Sequence, residues 1–179
     1  MADIRVIDAA RRQDINIPNE PFPLIGRMIP SLTGGRWGYS IGCFPEDSVR
    51  EMCFPDEHYD YDAMQGSSVF LGAYKGERCV GLAILQDAML KYMYLYDLKV
   101  CRDFRRRGVG AALMRKAREI ALSRGYRGLY AQAQDNNLNA CLFYLSQGFV
   151  IGGFDTQVYK GTSQEGKSDI IFYLDCCIS

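Results

Sequence analysis

The order of elements between Tyr96 and Phe149 constrains this chain more than any other feature. An apolar strand leads into the turn Arg105-Arg106-Arg107-Gly108-Val109-Gly110, and an amphipathic helix, a second strand and a helix led by Asn137 follow without interruption. A helix whose first turn holds Gly108, Gly110, Ala111 and Ala112 presents unpaired N–H groups and the positive end of its dipole. The glycines remove the side chains that would keep a phosphate away, and the arginines add charge, so the turn suits the pyrophosphate of an anionic carrier.

Two common nucleotide motifs fail here. A Walker loop ends in Gly-Lys-Ser/Thr, whereas Gly110 is followed by Ala111-Ala112-Leu113, and a dinucleotide fingerprint needs a third small residue where Leu113 stands. For the hexapeptide alone, the alternative is an exposed turn of solvated arginines.

The flanking patterns place the turn in a mixed α/β domain. Ile4 to Ile7 alternates like a strand, and Pro18, Pro21, Pro23 and Pro30 predict short helices and turns rather than a long helix. Ser68–Tyr74 and Cys79–Leu85 are apolar runs joined by Lys75-Gly76-Glu77-Arg78, which predicts an antiparallel hairpin. Tyr92–Cys101 reads as a third strand. From Val109, residues Leu113, Ala117, Ile120 and Ala121 recur at helical spacing and Gly125 supplies a stop. Gly128–Ala133 reads as a strand, Asn137–Ser146 as a helix, and Phe149–Phe154 and Ile170–Leu174 as closing strands around a polar Gly161–Lys167 loop. No internal repeat or low-complexity linker interrupts this order, so the expectation is one domain over residues 1–179.

Composition narrows the function. The chain has 179 residues, 48% of them hydrophobic, enough for one cored domain. Its 21 basic residues balance 21 acidic ones, which argues against a general nucleic-acid binder despite Arg105 to Arg107. Met1-Ala2-Asp3-Ile4-Arg5 lacks the pattern of a signal peptide, and no run approaches the ~18 apolar residues of a bilayer span, so a cytoplasmic protein with no membrane partner is expected. Seven cysteines without a Cys-x-x-Cys spacing suggest reduced thiols, with Cys101 and Cys141 among apolar neighbours. With a single histidine, His58, neither a histidine metal site nor a Ser-His relay is indicated, and no metal is expected.

Beyond the Arg/Gly turn, Asn137-Leu138-Asn139-Ala140-Cys141-Leu142-Phe143-Tyr144 followed by Gly148-Phe149 completes a recognisable pattern. Arg105, Gly108 and Gly110 with Asn137, Ala140, Tyr144, Gly148 and Phe149 resemble the two motifs of the GCN5-related N-acetyltransferase superfamily. That resemblance covers roughly Ser67 to the C-terminus. Phe54-Pro55-Asp56-Glu57, Gly153-Phe154-Asp155-Thr156, Tyr159, Gly161 and Thr162 look like the streptothricin acetyltransferase subfamily, as does the segment from Asn19 to Pro30 with Gly35-Arg36-Trp37-Gly38-Tyr39. The superfamily implies an α/β (α+β) fold with a mixed, mostly antiparallel central sheet flanked by helices. It also implies a splay between the strands corresponding to Tyr92–Val100 and Gly128–Ala133, where pantetheine lies. Its core motifs fall at about residues 67–175.

The implied reaction is acetyl transfer from acetyl-CoA to an amine, on streptothricin if the subfamily holds. The resemblance assigns the pyrophosphate to Arg105, Arg106, Arg107, Gly108, Val109, Gly110 and Ala111. It gives the pantetheine arm to backbone groups around Leu98, Lys99 and Val100 with Asn137, and the oxyanion to an N–H near Leu98 or Val100. Tyr144 holds the position that protonates the departing thiolate, a phenol and a thiol being of comparable basicity; its alternative is packing with Phe143 and Leu142.

An alkyl ammonium with pKa near ~10.4 must lose a proton before it attacks. Asp97, an acid inside an apolar strand, is one candidate base, and water relayed from Glu57, Asp60 or Asp62 is another. The run Asp56-Glu57-His58-Tyr59-Asp60-Tyr61-Asp62 would attract a small cationic amine if it is not simply a solvated loop, and Asp155, Tyr159, Trp37 and Tyr39 are further acceptor-side candidates. Protein lysines or N-termini, polyamines and aminoglycosides are alternative acceptors, and a non-catalytic acetyl-CoA-binding protein is the alternative class. Monomer and homodimer both remain open.

Overall fold

A computed structural model describes residues 2–88 and 90–176, so the readings that involve Met1 and Cys177 fall outside the described residues. In chain order the strands are β1 (Asp3–Val6), β2 (Phe22–Leu24), β3 (Gly26–Thr33), β4 (Arg36–Cys43), β5 (Arg50–Met52), β6 (Ser68–Lys75), β7 (Arg78–Gln86), β8 (Tyr92–Val100), β9 (Gly128–Gln134), β10 (Val150–Asp155) and β11 (Asp169–Asp175). The α-helices are α1 (Tyr61–Met64), α2 (Val109–Ser123) and α3 (Leu138–Ser146). One set of neighbouring strands runs β1-β6-β7-β8 and another runs β9-β11-β10. The chain forms two compact units: one takes the residues up to Pro21, Cys53–Leu129 and Cys176, and the other takes Phe22–Met52 and Tyr130–Asp175.

In the first unit β1, β6, β7 and β8 pair antiparallel in that order. Strands β6 and β7 are buried along nearly their whole length, which explains why their sequences read as continuous apolar runs rather than as alternation. On one face Phe70, Leu82 and Ile84 form a buried cluster with Ile7 and Ile15, packed against by Ile17, Tyr59, Tyr61 and Met64. Helix α2 lies against β6, β7 and β8 with Val109, Leu113, Met114, Ala117 and Ala121 buried; of the expected stripe Leu113, Ala117 and Ala121 are buried and Ile120 is half-buried. Gly125 ends it in the left-handed region at φ 79°.

In the second unit β10 and β11 pair antiparallel, with a register shift between Ile151 and Gly153. Ala131, Ala133, Leu138, Cys141, Tyr144, Phe149, Ile170 and Phe172 are buried there. The expectation of short helices and turns around Pro18 to Pro30 is corrected here. Residues Phe22–Met52 hold four strands, paired as β2–β5 and β3–β4. Proline excludes a helix interior but is tolerated in a two-stranded ribbon, because each strand has an edge where a missing N–H costs no ladder bond. Gly34 and Gly35, at φ 57° and 76°, form the two-residue turn between β3 and β4 that twisted hairpins favour.

Candidate functional site

The Arg/Gly turn reaches the helix through two left-handed residues, Arg106 at φ 58° and Gly108 at φ 78°. Gly108 is the N-cap of α2 and brings no side-chain cap, and the first helical bond runs from Ala112 N–H to Gly108 O at 3.0 Å. The N–H groups of Val109, Gly110 and Ala111 therefore precede the helical ladder. Arg106 and Arg107 are exposed beside them, with the Arg107 guanidinium 5.9 Å from the centre of the Phe104 ring. This donor set fits a pyrophosphate: dipole, free N–H groups and two exposed cations at one point.

Arg105 is used differently. Its guanidinium donates to the carbonyls of Val100 (2.9 Å), Pro21 (2.8 Å) and Glu20 (3.1 Å), and the Glu20 carboxylate also accepts from Arg102 N–H. A guanidinium engaged with three carbonyls works as a bracket that fixes the turn to the end of β8 and the segment before β2. The Val100 carbonyl is occupied by that bracket.

Further along β8, a bulge determines where the candidate base points. The β7–β8 register runs Leu82↔Lys99 and Ile84↔Asp97, then shifts so that Leu85 faces Leu95 and Tyr96 is the extra residue. Opposed residues of an antiparallel pair share a face, so the bulge turns Asp97 and Lys99 onto the Leu82 and Ile84 face that Tyr59 helps to cover. Lys99 Nζ lies 2.6 Å from the Glu57 carboxylate and 3.2 Å from Asp97, with its side chain 11% exposed. Tyr59 Oη donates to Asp97 at 3.2 Å, Lys99 Nζ lies 5.6 Å from the centre of the Tyr59 ring, and Asn19 Nδ2 donates to Glu57 at 2.9 Å. Burial pushes the Asp97 carboxyl above the usual carboxylate range, Lys99 opposes this, and the nearby Glu57 adds to it. Burial and the same carboxylates push the Tyr59 phenol up.

The rest of the acidic run has local partners. Asp56 accepts from Asn19 N–H at 2.6 Å, Asp60 caps α1 by accepting from Ala63 N–H at 3.1 Å, and Asp62 pairs with Arg12 at 3.2 Å. His58 is exposed. The structure thus draws Glu57, Tyr59, Asp97 and Lys99 together, while Asp60 and Asp62 serve the surface of α1. Sequence reasoning named Lys99 only for its backbone. The strand spacing of Asp97 and Lys99, two residues apart, was the available signal that their side chains share a face.

In the second unit Asn137 caps α3, its side chain accepting from Ala140 N–H at 3.3 Å while its own N–H donates to Gln134 O at 2.9 Å. Tyr144 is buried among aromatic rings, with centroids at 5.3 Å for Phe149, 5.5 Å for Phe172 and 5.9 Å for Phe143. The packing alternative for Tyr144 is therefore met by the fold, and it is compatible with a reactive hydroxyl at the tip of a fixed ring. Asp155 ends β10 and accepts from the N–H groups of Gln157 and Val158, so it shapes a turn. Tyr159 donates to the buried Asp169 at 2.7 Å. Trp37 is half-buried and Tyr39 exposed on the β3–β4 ribbon.

Of the described thiols, Cys43 and Cys53 are exposed and Cys176 is half-buried. Cys79, Cys101 and Cys141 are buried, and burial pushes Cys79 up to about 11 and Cys141 to about 12. Among the described residues no three His, Cys, Asp or Glu side chains converge as a metal-binding group, and no helix is long and apolar enough to cross a membrane.

Comparison with known proteins places these features. The family model "Acetyltransferase (GNAT) family" matches residues 38–149. A streptothricin acetyltransferase A of Bacillus subtilis (strain 168) is 34% identical over 161 residues, which is 90% of this chain and 92% of that protein. A streptothricin acetyltransferase of Streptomyces lavendulae is 27% identical over 147 residues, covering 78% of this chain and 77% of that one. A Bacillus anthracis str. Ames protein assigned as a streptothricin acetyltransferase, crystallised with acetyl coenzyme A, superimposes with a TM-score of 0.86 at 27% identity over 98% of this chain and 99% of that one. The chain belongs to the acetyltransferase (GNAT) family, and the expected fold class is the one observed.

Proposed function

We propose that this chain transfers an acetyl group from acetyl-CoA to an amine of streptothricin, on its β-lysine moiety, and thereby confers resistance to that antibiotic. The observation that carries the reading is similarity to a streptothricin acetyltransferase over 90% of the chain, together with an α2 start that no side chain caps. Acetyl-CoA supplies the activated thioester. The N–H groups of Val109 to Ala111, with Gly108, Arg106 and Arg107, hold its pyrophosphate, and Arg105 holds that turn in shape. Backbone groups of Leu98 to Val100 and the Asn137 cap align the arm, and an N–H at Leu98 or Val100 stabilises the oxyanion.

Asp97 takes a proton from the attacking ammonium, and the freed amine forms the new C–N bond as the C–S bond breaks. The Tyr144 phenol gives its proton to the departing sulfur, and the second proton on the attacking nitrogen, lost as the amide forms, restores the phenol. Glu57 and the flanking Asp56, Asp60 and Asp62 supply the negative field for a cationic acceptor, with Asp155 and Tyr159 as weaker contributors. In this reading the enzyme is one catalytic domain, cytoplasmic, and a monomer or homodimer without a nucleic-acid or membrane partner.

Mass spectrometry of streptothricin incubated with protein and acetyl-CoA, beside lysine peptides, a polyamine and an aminoglycoside, tests it. A single acetyl gain on streptothricin, with loss of its antibiotic activity, is expected. Acetylation of another acceptor with streptothricin untouched would discard the substrate. No acetylation of any acceptor, with acetyl-CoA still bound, would favour a non-catalytic carrier.

A further inference from the structure

We infer that Lys99 is a positioning residue for the proton acceptor, its ammonium holding Asp97 and Glu57 as a pair of carboxylates that share one counter-ion. The inference deepens the reading above and rests on Asp97 being the base. Its geometric ground is the β8 bulge, which places Asp97 and Lys99 on one face, and the short Lys99 contacts to Glu57 at 2.6 Å and Asp97 at 3.2 Å. The groups facing Asp97 are Lys99 on its own strand and Glu57 and Tyr59 from the segment before α1; the opposing β7 residue is Ile84. Tyr96, on the same strand, borders the Tyr59 ring at 5.9 Å.

Two carboxylates around one ammonium leave the cluster with one net negative charge. Without the ammonium, a desolvated Asp97 beside Glu57 would hold a proton, and a protonated carboxyl cannot accept one from the incoming amine. Lys99 thus supplies the charge balance that lets a buried acid act as a base. Tyr59, which donates to Asp97 and packs its ring near the ammonium, fixes the carboxylate's direction. The chemistry is ordinary proton transfer: the ammonium N–H bond breaks and an O–H bond forms on Asp97.

The test is the pH dependence of kcat/KM for streptothricin in the wild type, Lys99→Met, Lys99→Arg, Glu57→Gln and Asp97→Asn, each checked by thermal melting and acetyl-CoA affinity. In Lys99→Met the acidic limb should move up by about one to three pH units, the range an opposite charge at this distance produces, with activity recovering at high pH. Lys99→Arg should return the limb most of the way. Glu57→Gln, which removes the repelling charge, should move the limb down, so the inference stays testable even if Lys99→Met folds poorly. A pH-independent loss in Lys99→Met, or a limb that moves up in Glu57→Gln, overturns the inference. An active Asp97→Asn with the acidic limb in place removes the base assignment and this inference with it. Wild-type protein that leaves streptothricin unmodified instead defeats the substrate reading.

Discussion

The two longest α-helices of this protein begin in opposite ways. Helix α3 is closed by its own sequence: Asn137 caps it, accepting from Ala140 N–H. Helix α2 starts from Gly108 in the left-handed region, with no side-chain cap and a first helical bond only at Ala112. A capped start satisfies its orphan donors internally and serves stability. An uncapped start beside Arg106 and Arg107 leaves donors and field for an external anion. The contrast is what the proposed carrier site at α2 rests on, while α3 carries Tyr144 among the rings of Phe143, Phe149 and Phe172.

The sharpest way to test this division is Tyr144→Phe. If α3 contributes chemistry, kcat should fall by about 10²–10⁴-fold while acetyl-CoA affinity measured by calorimetry stays unchanged; an unaltered kcat would remove Tyr144 from the reaction.

Gly110→Glu should do the reverse at α2. The added carboxylate suits the helix dipole, so the fold survives, but it opposes the pyrophosphate and should weaken acetyl-CoA binding on the order of 100-fold or more. Retained binding would place the pyrophosphate elsewhere.

Asn137→Ala removes a cap and should cost about 1 kcal/mol of stability in chemical denaturation. Its effect on acetyl-CoA affinity separates a purely structural cap from one that also supports the arm.

The smallest effect concerns the thiols. In titration with a thiol reagent at neutral pH, the exposed Cys43 and Cys53 should react at once, and Cys79, Cys101 and Cys141 only on unfolding, because burial keeps these three protonated.

The elements that the sequence made legible share a cause. The α2 stripe, the β6–β7 hairpin and the α3 cap are local patterns in which neighbouring residues bury one face or close one helix end. The β2–β5 region departs from expectation because prolines argue against a helix without excluding a two-stranded ribbon, for which Gly34-Gly35 is the local hairpin signal. Arg105 illustrates a different limit. Its position in the motif suggested a phosphate ligand, yet which carbonyls surround a guanidinium depends on chain segments far away in sequence, here Glu20 and Pro21.

By itself the sequence determined the fold class, and it carries the motifs from which the carrier-binding turn and the role of Tyr144 are proposed, because each is written in contiguous residues with fixed spacing. Only the tertiary structure decided how the charges near Asp97, the proposed base, are arranged. The bulge at Tyr96 sets which face of β8 carries Asp97 and Lys99, and the segment holding Glu57 and Tyr59 must fold onto that face before a lone strand acid becomes one member of a buried, charge-balanced cluster. Strand register and distant packing are properties of the assembled sheet, so no local window of residues could have specified them.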